Sequence, residues 1–231
     1  MRASRTAPIA ALAALALALA ASPARADDPV PADDPAAVLT TGAAGADGAN
    51  VAAGDVLNAA VAAGTTANFT TAAGGTTGVK CAESAFTATV ADNPAAPGVA
   101  TESTTAHTFA SCTANIFGVT RVNSVTVDNL PFATTVDSAT GAVTVSGTET
   151  APIQTTLSLG TILGSVTCVF RATNGSISGV TSNTDNSIAF TDQPFTRTSG
   201  PVTCPGSGFF TATYAPVVDT SVEGSPVVFT N

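Results

Sequence analysis

The chain is predicted to be all-β, an antiparallel β-sandwich or a barrel-like variant of one, and three observations carry that prediction. Short runs of Val, Ile, Phe and Thr alternate with small polar residues at a period of two, which gives a strand one buried and one wet face. Gly, Pro, Asn and Asp interrupt these runs at intervals of about 8–15 residues, a spacing typical of turns in sandwiches and barrels. Beyond residue 26, no stretch sustains an apolar period of 3.6 with helix caps. Threonine supplies 39 of the 231 residues, and its branched, half-polar side chain suits a pleated surface that is wet on one face.

Taken in order, the first 26 residues read as an export signal. Arg2 and Arg5 precede an uncharged Ala/Leu run from Ile9 to Ala21, and Ala24-Arg25-Ala26 puts small residues at positions −3 and −1 of a cleavage site. That succession is a secretory signal peptide of the Sec type, cut after Ala26. The run rises about 20 Å as a helix, short of the roughly 30 Å of hydrocarbon in a bilayer. Residues 27–50 are mostly Ala, Asp, Gly and Pro, with too little apolar area to offset their ordering entropy, and are expected to form a disordered linker. Val38-Leu39 near its end offers an edge strand.

The all-β domain is expected to cover 51–231. Val56 to Ala62 and Thr66 to Thr71 flank Ala63-Gly64-Thr65 as a hairpin. Ala85 to Val90 and Ala106 to Ser111 lie on either side of a Pro-rich loop, Asp92 to Gly98. Val122 to Val127 alternates Val with Asn, Ser and Thr. Phe132 to Val136 and Val143 to Val145 are joined through Gly141, placed for a left-handed residue. Ile162 to Phe170 is the most continuous apolar run after the signal and reads as a central strand around Cys168. Ile177 to Thr181 and Ser187 to Thr191 bracket the turn Asn183-Thr184-Asp185-Asn186, and Phe209 to Tyr214 and Val227 to Thr230 close the domain.

Composition excludes several function classes. Lys+Arg number 7 against 16 Asp+Glu, and loss of the signal leaves four basic residues, so the mature chain carries about −12. Such a balance opposes phosphate backbones and, taken over the whole chain, anionic membranes. With one His, one Lys and no Trp, much of the usual catalytic toolkit is missing. No cofactor, no nucleic acid and no transmembrane segment in the mature chain is expected.

Cys81, Cys112, Cys168 and Cys204 are even in number in a chain read as exported, so two disulfides are expected. Three connectivities are open. A faint internal echo favours sequential pairing: Gly78-Val79-Lys80-Cys81 and Gly164-Ser165-Val166-Thr167-Cys168 place Cys at similar strand positions, and each is followed by a Phe-containing strand and then Cys112 or Cys204. On that reading 75–148 and 150–231 are two related halves, each stapled once, with about 3–4 kcal/mol per staple. The spacing fits no zinc site.

Candidate chemistry is sparse. His107 would need a nucleophile such as Ser111 and an orienting acid such as Asp92 or Glu102 to act as a hydrolase base; its alternation with Thr108, Phe109 and Ala110 reads instead as a strand-surface histidine. A glycosidase pair would want aromatic sugar platforms, and Tyr214 is alone. The oxygens of Asn183 to Asn186 could suit calcium, yet Asp and Asn in turns ordinarily cap their own backbone. Phe117, Phe132 and the Phe209-Phe210 pair are the candidates for an exposed aromatic patch. No catalytic, cofactor-binding or metal-ligating residue is assigned; the site residues are the four cysteines.

Asn93-Pro94-Ala95-Ala96-Pro97-Gly98, Val122 to Val127 with Leu130-Pro131-Phe132, Leu163 to Cys168, and Ser182 to Ile188 give the chain a resemblance to secreted proteins of unknown function from actinobacteria, Streptomyces-like in composition. The resemblance implies export and a β fold and brings no catalytic residues. The expected function is a non-catalytic secreted binding or structural module, outside the cell or at the cell envelope. The alternative is a small-molecule carrier, which needs an apolar cleft. A secreted hydrolase is the remaining option.

Overall fold

The structure is a computed structural model that describes residues 35–231; the expected signal peptide and the first part of the expected linker lie outside that range. β1 (Leu39–Thr41) and β2 (Ala49–Asn50) flank a single 3-10 turn, Gly45–Asp47. β3 (Val56–Ala60) and β4 (Ala67–Thr70) lead into two long strands, β5 (Gly78–Asp92) and β6 (Val99–Ala114). β7 (Val119–Asp128), β8 (Phe132–Asp137), β9 (Ala142–Ser146), β10 (Gln154–Thr161), β11 (Gly164–Ala172) and β12 (Ser176–Ser182) are hairpin-length. A third long strand, β13 (Ser187–Ser199), precedes β14 (Ser207–Tyr214), β15 (Val218–Asp219) and β16 (Val228–Thr230).

Eight strands close on themselves in the order β12-β9-β8-β6-β5-β4-β14-β13, with β13 returning to β12, so the barrel form of the prediction is the one adopted. Closure removes the exposed edges that an open sheet would present to other chains. Every pairing is antiparallel, and the long strands are shared. β13 pairs with β12 through Ser187–Phe190 and with β11 through Phe195–Ser199, from which β10 and β7 continue as an extension. β5 divides itself likewise, pairing with β4 near Cys81 and with β3 from Ala85 on.

Alternation explains the filling. In β14 every second residue from Gly208 to Tyr214 is buried, and Phe210, Ala212 and Tyr214 enter the core. Val143 and Val145 do the same in β9. Stretches 75–148 and 150–231 share this one core, since both contribute strands to the same closed ring, in which β9 pairs with β12. Gly208 is required by a close approach: a Cβ there would lie 2.0 Å from the Phe69 ring, which packs edge-on against Phe170 and Phe195.

Three expectations need correction. The linker 27–50 ends earlier than its composition implies: Val38 and Thr40 are fully enclosed, β1 pairs with β16, and the Asn93 side chain bonds the backbone of Leu39 and Val51. Few apolar residues suffice because the half-buried Asn93 side chain satisfies the polar backbone they bring in. Second, the run Ile162 to Phe170 is not one strand; Ile162 and Leu163 form an exposed turn, and the strand starts at Gly164. Third, Gln154–Thr161 is a strand, buried at Leu157 and Leu159, which a search for long apolar runs passes over.

Both disulfides are sequential. Cys81 and Cys112 are cross-strand partners in the β5–β6 ladder, with Cα atoms 3.9 Å apart. Cys168 and Cys204 tie the loop after β13 to β11, with Cα atoms 5.7 Å apart.

Candidate functional site

The inward face of β6 builds the site, and a bulge sets its composition. Ala100, Glu102 and Thr104 point inward by alternation. The β5–β6 register then slips: Ala88 pairs with Thr104 but Thr87 with Ala106, leaving Thr105 unopposed. An extra residue flips the parity of all that follows, so His107 and Phe109 also turn inward. His107 is therefore not a strand-surface residue, as alternation around it had suggested, but part of the inner wall.

Within that wall lies a cavity of about 80 Å³, and about 950 Å³ is free of protein atoms when its open mouth is counted. A single water needs about 10–15 Å³ on the narrower measure, so the cavity has room for several. Its lining is mostly apolar: Phe69, Phe86, Phe109, Phe190, Phe195 and Phe210 contribute rings, with valines from β7 and β9. The mouth follows from strand pairing. β7 pairs only with β10, and β6 beyond Thr104 pairs only with β5, so their free edges run side by side unbonded. Phe109, Val125 and Val127 on those edges line the cavity and stay half-exposed.

Two polar features interrupt the apolar lining. The first is a chain of hydroxyls ending on the histidine. The Tyr214 hydroxyl lies 2.6 Å from His107 Nε2 and 2.8 Å from Ser84 Oγ. Donation from Ser84 to Tyr214 and from Tyr214 to Nε2 would satisfy both hydroxyl hydrogens, and this chain suits a neutral imidazole. Burial lowers the His107 pKa to about 4 and raises that of Tyr214, so the neutral forms persist near pH 7. Phe109 lies tilted against the His107 ring, with 4.6 Å between centroids and 39° between planes, and Phe210 meets it edge-on at 6.0 Å.

The second feature is Glu102, only 8% exposed. Its register neighbours are Val90 and Thr134, and Thr134 hydrogen-bonds Thr104 at 2.7 Å. Burial alone pushes its carboxyl up to about 7, with neither a hydrogen bond nor a charge among the causes. Among the described residues one other acid is enclosed, Asp219 on β15; burial raises its pKa, and Asp55 is the charged neighbour that contributes.

The remaining sequence candidates disperse. The Ser111 hydroxyl donates to Glu83 on the outer face, and Asp92 is exposed at the far end of β5, so neither assembles with His107. In the 183–186 turn the Asn183 side chain bonds Thr230, Asn186 donates to Val228, and Asp185 accepts from Ser187, which pins β16. Among the described residues no three metal-binding side chains gather. Of the candidate aromatic patch, Phe132 and Phe210 are buried, and Phe117 alone is fully exposed. Ser84 and Tyr214 were the residues that pattern reading passed over; Tyr214 shares the buried parity of Phe210 and Ala212, the one signal that pointed inward. Comparison with protein-family models, curated proteins and solved structures yields no match to this chain.

Proposed function

We propose that this protein is a non-catalytic carrier of a small apolar molecule held inside its barrel. The observation that supports it is the Phe-lined cavity, closed on most sides by paired strands and open along the β6–β7 seam. His107 Nε2 is engaged by Tyr214 at 2.6 Å, while the one serine beside it, Ser84, lies 3.5 Å away and is turned to the Tyr214 hydroxyl at 2.8 Å, an arrangement that favours binding over hydrolysis. Two disulfides, and no helix among the described residues long and apolar enough to cross a membrane, are compatible with an extracellular setting. Export through the leader at residues 1–26 completes the proposal.

Titration with 2-phenylethanol, a neutral aromatic of suitable size, tests it. Saturation at about a hundredfold over Kd is expected to raise the melting temperature by about 5 °C or more. Thr155→Phe, which puts a ring into the cavity from β10, is expected to abolish that rise. A rise that survives Thr155→Phe places binding elsewhere and overturns the reading.

A second reading, attachment at the cell envelope, is favoured by one end of the molecule. Phe117, Ile162, Leu163 and Val202 are each at least 82% exposed. Val119 pairs with Thr161, so the Phe117 loop sits beside the Ile162–Leu163 turn, and Val202 lies in the loop fastened to β11 by Cys204. A tight hairpin turn ordinarily calls for Gly, Asn or Asp; Ile-Leu there serves no turn geometry. Stretches 112–127, 158–171 and 194–207 contain no acid but carry Arg121, Arg171 and Arg197. Local charge thus opposes the acidic whole, and a lipid surface bearing anionic headgroups is the matching partner. Replacement of Phe117, Ile162 and Leu163 by Ser is expected to reduce flotation with vesicles of anionic lipid at least tenfold; equal flotation of both proteins would end this reading.

A further inference from the structure

Glu102 lacks what buried carboxylates have. A charge removed from water costs several kcal/mol unless it is paired or hydrogen-bonded. Glu102 is buried, lines the cavity, and receives no hydrogen bond from any described residue. The cations of the described chain are committed elsewhere. Lys80 is exposed, Arg121 bonds Asn123, Arg171 bonds Gln154, and Arg197 bonds the carbonyls of Pro201 and Cys204. Thr134, its neighbour across the strand pair, is engaged with Thr104. No described residue supplies a charged partner, so a charged partner for the carboxylate has to enter the barrel as a ligand.

The rest of the lining indicates what that partner is. Aromatic faces attract cations through their quadrupole, most strongly where water is excluded. Phe86, Phe109, Phe132, Phe190 and Phe210 line the same space as Glu102. A carboxylate in a cavity that phenyl rings also line, with no protein cation, is the chemistry that selects an ammonium group on an apolar body. A hydroxyl would gain one neutral hydrogen bond there. An ammonium gains a charge-assisted bond and the ring faces as well.

We propose that the barrel cavity binds a small apolar amine, its protonated nitrogen hydrogen-bonded to Glu102 and its body packed among the phenylalanines. This rests on the carrier reading and adds the ligand's chemical class. Association is proton-neutral when a charged amine meets an ionised carboxylate. In the empty barrel burial holds the Glu102 pKa near 7, so amine affinity falls as pH drops below that value. At the level of Glu102 β5 contributes Val90 and β8 Thr134, and across the barrel β3 contributes Leu57, β12 Thr181 and β13 Ser187 and Ile188, none of them charged; His107, the other titratable group on the cavity wall, is neutral above about pH 4.

The test compares 2-phenylethylamine with 2-phenylethanol by calorimetric titration at pH 8 on the wild type and on Glu102→Gln. The amine is expected to bind wild type about ten- to a hundredfold more tightly than the alcohol, the range of a hydrogen bond to a charged group. Glu102→Gln, its fold certified by an unchanged circular dichroism spectrum, is expected to lose the preference for the amine over the alcohol. Equal affinity of wild type for both compounds overturns the amine proposal and leaves the carrier reading standing. Binding of neither compound overturns both. An amine preference that survives Glu102→Gln places the cation elsewhere and overturns the assignment to Glu102.

Discussion

Replacing Cys168 and Cys204 together by Ala is expected to lower the unfolding free energy by about 3–4 kcal/mol, and to cost more than the same double change at Cys81 and Cys112. In the unfolded chain the two crosslinks close loops of similar size, with sequence separations of 36 and 31 residues, so the entropic parts are nearly equal. The folded state separates them. Cys81 and Cys112 face each other in a ladder that backbone hydrogen bonds already hold. Cys204 sits in an irregular loop whose other fastenings are the Arg197 side chain, bonded to the carbonyls of Pro201 and Cys204, the Arg197 amide donating to the Gly206 carbonyl, and one turn bond from the Cys204 amide to Pro201. Both sulfurs of this pair belong to nearly enclosed residues, so its loss also leaves a void. Urea unfolding of the two double variants measures the difference. Equal losses would leave unfolded-chain entropy as the whole explanation; a larger loss at Cys81–Cys112 would contradict the account of the loop.

The architecture was legible where the pattern is local. Hairpins across Gly141 and across Asn186 combine alternating strands with a residue that adopts positive φ, at 68° and 51°, and both signals sit in the sequence within a dozen residues. The apolar run at Ile162 misled because it merges a turn with a strand, and apolar content carries no information about where a chain reverses. Ile162 and Leu163 stand exposed in that turn, which places them outside any rule based on burial.

The candidate site was legible only in pieces. His107, Glu102 and Tyr214 are ordinary in their own neighbourhoods. His107 and Glu102 share a face only because Thr105 bulges, and a bulge has no reliable mark in the sequence of one strand. Tyr214 reaches His107 across 107 residues through closure of the barrel, a long-range fact that no local period contains. The cysteines were easier, since an even count in a chain read as exported already implies pairing, and strand position favoured the pairing found.

Opposed pH slopes are expected from the two buried titratable groups on the cavity wall. Glu102 has its carboxyl raised to about 7 from an ordinary 4.5, so the fold prefers it protonated. Its contribution is fully present below pH 4.5 and is lost as pH rises toward 7. His107 is lowered to about 4 from 6.5, so the fold prefers it neutral. Its contribution is present above pH 6.5 and is lost as pH falls toward 4. Between about pH 4.5 and 6.5 the unfolded chain binds one proton more at the histidine and one fewer at the glutamate, and the two slopes cancel. Glu102→Gln removes one arm. Relative to wild type it is expected to gain about 1.4 kcal/mol per pH unit across that window as pH rises, and His107→Gln to lose at the same rate. Differences against wild type isolate these arms from Asp219, which is common to all three proteins. Urea midpoints taken at half-unit steps from pH 4 to 8 give both curves. Curves for wild type and Glu102→Gln that run parallel would mean the carboxyl is as well solvated in the fold as in the open chain, and the cavity would then hold no uncompensated charge to recruit an amine.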